Sequence, residues 1–218
     1  MTTENTWTEE KIIEQYFDYV LTHNADPKSV YAFCKEHEQS ESEFYAHFGS
    51  FEALREQVFC NFHHHVLALL AKDDELRKQD AHHQLLSYYF TFFEMLAANR
   101  SFVVFALKQH RYALDGLKQL SKLRTLFKQY IATLPLEGFK TEHAMISTIQ
   151  EKGIREGAWV QLLVTLKFWL DDTSPGFEKT DVFIEKSVKA SFDLLKVTSL
   201  DSIIDFAKFM MKEKVMKD

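Results

Sequence analysis

Apolar positions recur at helical spacing along almost the whole chain. Ile12, Ile13, Tyr16, Phe17, Val20 and Leu21 form one stripe, with Thr8 before it as a cap. The run Asn24-Ala25-Asp26-Pro27 breaks the stripe. A short helix over residues 28–36 is expected next, then a turn near Glu38-Gln39. Ser40 can cap a second short helix reaching His47, Gly49 ends it, and Ser50 can cap a long helix to about Ala71. The charged stretch 72–80 reads as a surface connection. Helical patterns then cover 82–99, 102–111 and 117–134, and Pro135 and Gly138 punctuate the loop that follows. A long pattern over 142–170 closes at Asp171-Asp172-Thr173-Ser174-Pro175-Gly176, and two more helices, 180–197 and 200–215, finish the chain. No strand alternation competes, so the fold class is all-α.

Composition supports that reading. There are 20 Phe and 8 Tyr but only 6 Gly and 3 Pro among 218 residues, few turn formers for so many long side chains. The net charge of −6 gives no general attraction for nucleic acid or anionic membranes. Cys34 and Cys60 are too few for a disulfide framework, and reduced thiols in a cytoplasmic protein are the simplest account. The polar, acidic N-terminus is unlike a targeting peptide, and no apolar run reaches the ~18 residues of a membrane span.

Residues 40–54, SESEFYAHFGSFEAL, carry the first functional signal. Three short helices followed by a long one, with Tyr45, His47 and Phe48 at the junction, resemble the tetracycline-repressor (TetR) family. That family joins an N-terminal helix-turn-helix to a larger helical domain that binds ligand and dimerises. Val30 and Phe33, the Glu38-Gln39-Ser40 turn and the FGSFEAL continuation match its pattern. The resemblance implies a three-helix head over residues 1–50 and a ligand and dimerisation domain over 51–218. It implies DNA contacts from Lys28, Ser40, Ser42, Glu43, Tyr45, Ala46, His47 and Ser50. Tyr45, His47 and the amide end of the helix after Ser50 would hold phosphates, while Ser42, Glu43 and Ala46 would face bases or backbone. Phe33, Phe44, Phe48 and Val30 would close a three-helix core with or without DNA.

Three features depart from the family pattern. Glu38 stands in the turn where the family has Gly for a positive φ, which puts the turn's shape in question. Phe51 replaces a Lys that would meet phosphate. Through residue 60 there are four basic and twelve acidic residues, a charge of −8, whereas DNA binding draws much of its affinity from Lys and Arg.

In the larger domain, YYFTFFEML and SFVVF place many aromatics on neighbouring helices. Tyr89, Phe90, Phe93, Phe102 and Phe105, with Trp159, Phe168 and Trp169 from the later helix, are the candidate lining of a hydrophobic pocket. For any single one of them, core packing is the simpler account. Residues 168–186, FWLDDTSPGFEKTDVFIEK, are similar to a segment of a ubiquinone-biosynthesis lipid-binding family of the same fold. Asp172, Ser174, Pro175, Phe177, Glu178, Thr180, Phe183 and Glu185 carry the match. From the residues alone this is a turn between helices, with Asp181 supporting the second. The amphipathic stretch 200–215 suits the protein's own core, a partner subunit or, through its lysines, a membrane surface.

His63-His64-His65 cannot converge on one metal, because consecutive helical residues point about 100° apart. The spacing of Glu56, Cys60 and His64 is wide for one ion. There is no Gly-rich phosphate loop, nucleophile elbow or paired-carboxylate motif. No metal, cofactor or enzymatic activity is expected. The chain reads as a homodimeric, ligand-responsive transcriptional regulator, or as a lipid or isoprenoid carrier on the same scaffold that has lost DNA binding.

Overall fold

The computed structural model describes residues 7–108, 118–136 and 144–197, and every described element is helical. The stretch 200–215 lies outside the described residues. The helices are α1 (Glu9–His23), α2 (Val30–Glu36), α3 (Glu41–His47), α4 (Phe51–Leu70), α5 (Ala81–Ala98), α6 (Arg100–Lys108), α7 (Ser121–Thr133), α8 (Ala144–Asp171) and α9 (Glu178–Val197). They fall into two compact units. Of the described residues, the first holds 7–73, 90–108 and 118–129, and the second 74–89, 130–136 and 144–197.

Helix starts follow local chemistry closely. The hydroxyls of Thr8, Ser29, Ser40 and Ser50 accept from Lys11, Ala32, Glu43 and Ala53 backbone N–H groups, opening α1 to α4. Ser29, not Lys28, marks the start of α2. Asn24 ends α1 in the left-handed region at φ 50°. Phe48 ends α3 in extended conformation, and Gly49 adopts no positive φ, so the helix stops without a left-handed glycine. Asn99 joins α5 to α6 at a 90° bend, its side-chain amide donating to the Met95 carbonyl and its own carbonyl accepting from Val103. The connection at 72–80 is exposed apart from half-buried Leu76, and contains a 3-10 turn over Leu76–Lys78. No single helix among the described residues is long and apolar enough to cross a membrane.

The head of the first unit is an aromatic core. Phe33, Phe44 and Phe48 are buried as the pattern implies, while Val30 is only half-buried. Phe51 does not face solvent but stacks on Tyr16 at 5.3 Å and meets Phe44 edge-on. Trp7, in the polar leader, packs on Phe33 at 5.8 Å. It occupies the position before the Thr8 cap, with buried Ile12 at the fourth helical position, the arrangement of a hydrophobic staple. Arg55 of α4 is also buried. Its guanidinium donates to the Tyr16 hydroxyl at 2.7 Å and to the Asp26 carboxylate at 2.6 Å, tying α4 to α1 and to the α1–α2 loop.

In the second unit α8 and α9 pack together, and Asp172 organises their connection. Its carboxylate accepts from the backbone and hydroxyl of Ser174 (2.8 and 2.7 Å) and from those of Thr180 (3.0 and 2.7 Å). Burial opposes the charge, but these four donors outweigh it and hold the carboxyl low, at about 2. Gly176 takes φ 61°, where a side chain is strained, and Phe177 follows in the same region.

Candidate functional site

The helix-turn-helix is the first candidate. Glu38 occupies the left-handed region at φ 55°, so the turn keeps the backbone shape that glycine would give it. The Gln39 N–H donates to the Cys34 carbonyl at 2.9 Å and the Glu38 N–H to Lys35 at 3.3 Å, a Schellman closure of α2 with Glu in the glycine position. The substitution leaves the geometry in place and makes it more costly.

Several side chains expected at DNA are committed within the head. Ser40 and Glu43 form a capping box: the Glu43 carboxylate accepts from the Ser40 backbone at 2.8 Å and from its hydroxyl at 2.7 Å. The Ser40 hydroxyl and backbone hold the Glu43 carboxyl below its ordinary range. Ser42 lies 2.8 Å from Ser40, hydroxyl to hydroxyl. Ser50 caps α4 through the Ala53 N–H. Lys28, Tyr45, Ala46 and His47 are exposed, with Tyr45 edge-on to Phe44 at 5.7 Å. The outward face of α3 thus offers a phenol, a methyl and an imidazole, with Glu41 and Glu43 in its first turn.

The second candidate is a cavity of about 400 Å³ in the second unit, within the ~300–1,000 Å³ of small-molecule sites. Leu85 of α5, Ile131 of α7 and Leu134 and Leu136 just beyond it form one wall. Gly153, Ile154, Gly157 and Ala158 of α8 form another, and Phe192, Leu194 and Leu195 of α9 a third. Gln150, Gln161 and Ser191 supply the polar atoms. Among the described residues, no lining residue carries a formal charge.

None of the eight aromatics expected to line a pocket lines this cavity. Phe90, Phe93, Phe102 and Phe105 belong to the first unit, and Tyr89, Trp159, Phe168 and Trp169 to the second. Phe102 stacks on Phe17 at 3.9 Å and lies edge-on to Tyr16, joining α6 to α1. Tyr89, Phe93, Phe105, Trp159 and Trp169 are buried, Phe90 is half-buried, and Phe168 is 38% exposed and stacked on Phe183 at 4.6 Å. Large rings remove the most apolar area from water, so they fill the cores, and the open space lies mainly against aliphatic and glycine positions, with Phe192 the one ring among the described lining residues. The sequence signal for the cavity is Gly153 and Gly157, four apart in a 28-residue helix.

The remaining reactive groups are quiet. Burial raises the Cys34 and Cys60 thiols, which keeps them protonated. Burial, with a smaller effect of His64, lowers His63 to about 4, so that imidazole is neutral. Among the described residues Asp80, His82 and His83 bring possible metal-ligand atoms within 4.8 Å of one another. Asp80, however, caps α5, its carboxylate accepting from the His83 N–H at 2.9 Å and meeting the His83 ring at 2.7 Å.

Residues 84–210 match the family model described as tetracyclin repressor-like, C-terminal domain. No curated protein matches the chain. The matched span begins in α5 and takes in every helix that lines the cavity. With more than half of its length in that match, the chain belongs to the tetracycline repressor-like family.

Proposed function

We propose that the protein is a homodimeric, ligand-responsive transcriptional regulator. Residues 1–50 form the DNA-reading head, and residues 51–218 bind a hydrophobic effector and the second subunit. The observation that carries the reading is the turn at Glu38. A chain that spends free energy to hold a non-glycine residue at φ 55° retains helix-turn-helix geometry, and the exposed Tyr45, Ala46 and His47 give α3 an outward face. Tyr45 and His47 serve as phosphate contacts. The engagement of Glu43 with Ser40 draws its carboxylate to the helix N-terminus, where the backbone N–H groups offset its charge. Effector in the cavity and DNA at the head oppose each other by linkage.

The dimer surface in this reading is the exposed apolar face of α8 and α9. Val160, Val164 and Phe168 repeat every four residues on α8 at 56, 50 and 38% exposure, with Val182 of α9 at 47%. Selection of bound duplexes from a random pool tests the whole reading. Enrichment of a two-fold symmetric sequence, with half-sites about one helical turn or a multiple of it apart, is expected.

The charge of −8 through residue 60 favours a second reading, an apolar-ligand carrier without DNA binding. A pool that stays unenriched after selection, from a protein that still retains lipid, selects the carrier.

A further inference from the structure

We propose that the cavity of the second unit takes an uncharged amphiphile: a hydrocarbon body with one neutral hydrogen-bonding end such as a hydroxyl, ketone or carboxamide. The proposal rests on the reading of this cavity as the effector site and adds the chemical class of its occupant.

Three observations converge. The first is the glycine wall. Glycine is the poorest helix former after proline, yet α8 carries two of them on one face, four residues apart. Among the described residues, and apart from its own helix backbone and chain neighbours, a Cβ built at Gly153 or Gly157 meets no atom within 4 Å. Among the described residues the glycines therefore relieve no crowding, and both border the cavity. They leave the α8 backbone open toward the cavity.

The second observation is electrostatic. Among the described residues the lining contains no Lys, Arg, His, Asp or Glu. Charged residues line neighbouring recesses instead, Glu151 and Arg155 in one and Asp80, Lys189 and Asp193 in another. An ionised head group entering the cavity would lose its hydration and find no counter-charge.

The third observation is the polar end itself. Gln161 of α8 donates an amide N–H to the Ser187 hydroxyl at 3.3 Å, and its carbonyl lies 3.0 Å from the Ser191 hydroxyl, whose one proton it shares with the Ser187 carbonyl. A carboxamide offers two donors and two acceptor lone pairs, so these bonds use one of each and leave one of each. Because two α9 serines hold the amide, it is positioned before any ligand arrives. A neutral group that both donates and accepts matches it.

The test uses the full-length wild-type protein, stripped of co-purified lipid, and calorimetric titration with four probes of equal chain length. These are dodecanol, dodecanamide, dodecanoate and dodecylammonium at about pH 8, where the last two are ionised. Dodecanol and dodecanamide are expected to bind at least ~10-fold more tightly than either ion. Gly157→Phe fills the space and is expected to abolish all binding without lowering the unfolding temperature. Gly153→Leu supplies the same readout if that variant does not fold. Gln161→Leu is expected to weaken dodecanamide by about 5- to 10-fold. Dodecanoate binding as tightly as dodecanol, and lost in Gly157→Phe, overturns the uncharged class while leaving the cavity as the effector site. No binding by any probe, or binding unaffected by both glycine variants, overturns the effector-site reading and the proposal with it.

Discussion

Replacing Glu38 by glycine isolates the conformational cost at the centre of the helix-turn-helix. At φ 55° the Glu38 Cβ crowds the following carbonyl, a strain of roughly 1–2 kcal/mol for a residue other than glycine. Glycine removes that strain but adds about 0.5–1 kcal/mol of backbone entropy to the unfolded chain. The difference leaves Glu38→Gly more stable by about 0.5–1 kcal/mol. For a chain of this length that is a rise of roughly 1–4 °C in unfolding temperature. Glu38→Ala is the control, because it also deletes the carboxylate yet keeps a Cβ in the strained region. Thermal and urea unfolding followed by circular dichroism compare the three proteins. Glu38→Gly should be more stable than Glu38→Ala. If the alanine variant is as stable as the glycine variant, the left-handed turn carries no strain, and charge alone explains any gain over wild type.

Four further outcomes are expected. Burial of His63 lowers its pKa to about 4 from an ordinary 6.5, so the unfolded chain binds the proton first and stability falls as pH drops from about 6.5 towards 4. Urea midpoints across that window should show the decline, and His63→Leu should flatten it. Asp172 adds a second acid-side loss, about 2 kcal/mol between pH 4 and 2, because its folded pKa lies below its unfolded value. Acid titration of Asp172→Asn should lack that component. Arg55→Met deletes both charge-assisted bonds to Tyr16 and Asp26 and should destabilise by about 2 kcal/mol, below the ~3–5 of a fully buried pair because the Asp26 side chain is 38% exposed. Val164→Asp places a carboxylate in the proposed subunit contact, and light scattering should report a monomer with the wild-type circular dichroism spectrum.

How much of this was legible in the sequence follows the range of the interactions involved. Helix starts at Thr8, Ser40 and Ser50 were readable because a cap and its amide partner lie three residues apart. The long helices were readable from their apolar period. The Glu38 turn was visible as a departure, but whether the backbone would follow glycine geometry depended on the Schellman bonds to Cys34 and Lys35. Trp7 and Arg55 were not readable. Each is placed by partners distant in sequence, Phe33 and Phe44 for the tryptophan, Tyr16 and Asp26 for the arginine. The aromatic run of α5 and α6 lies mostly in the first unit, and its rings are core because rings dominate burial. The cavity of the second unit is lined instead by scattered, mainly aliphatic residues on four helices. Only the paired glycines of α8 mark it along the chain. Between residues 168 and 186, Asp181 stands in the first turn of α9 as expected, while the bond from the Thr180 N–H to Asp172, before the turn, spans eight residues and was not readable.

The account stands most directly on DNA recognition by the head. Fluorescence anisotropy of a labelled duplex from the protein's own upstream region, against a scrambled duplex of equal length, measures it in wild type and Tyr45→Ala over a salt series. Wild type should prefer the upstream duplex by at least ~10-fold, with a shallow salt dependence because Lys28 and Lys35 are the few exposed cations of the head, and Tyr45→Ala should lose affinity for both duplexes. Equal, salt-insensitive signals for the two duplexes in both proteins would contradict it.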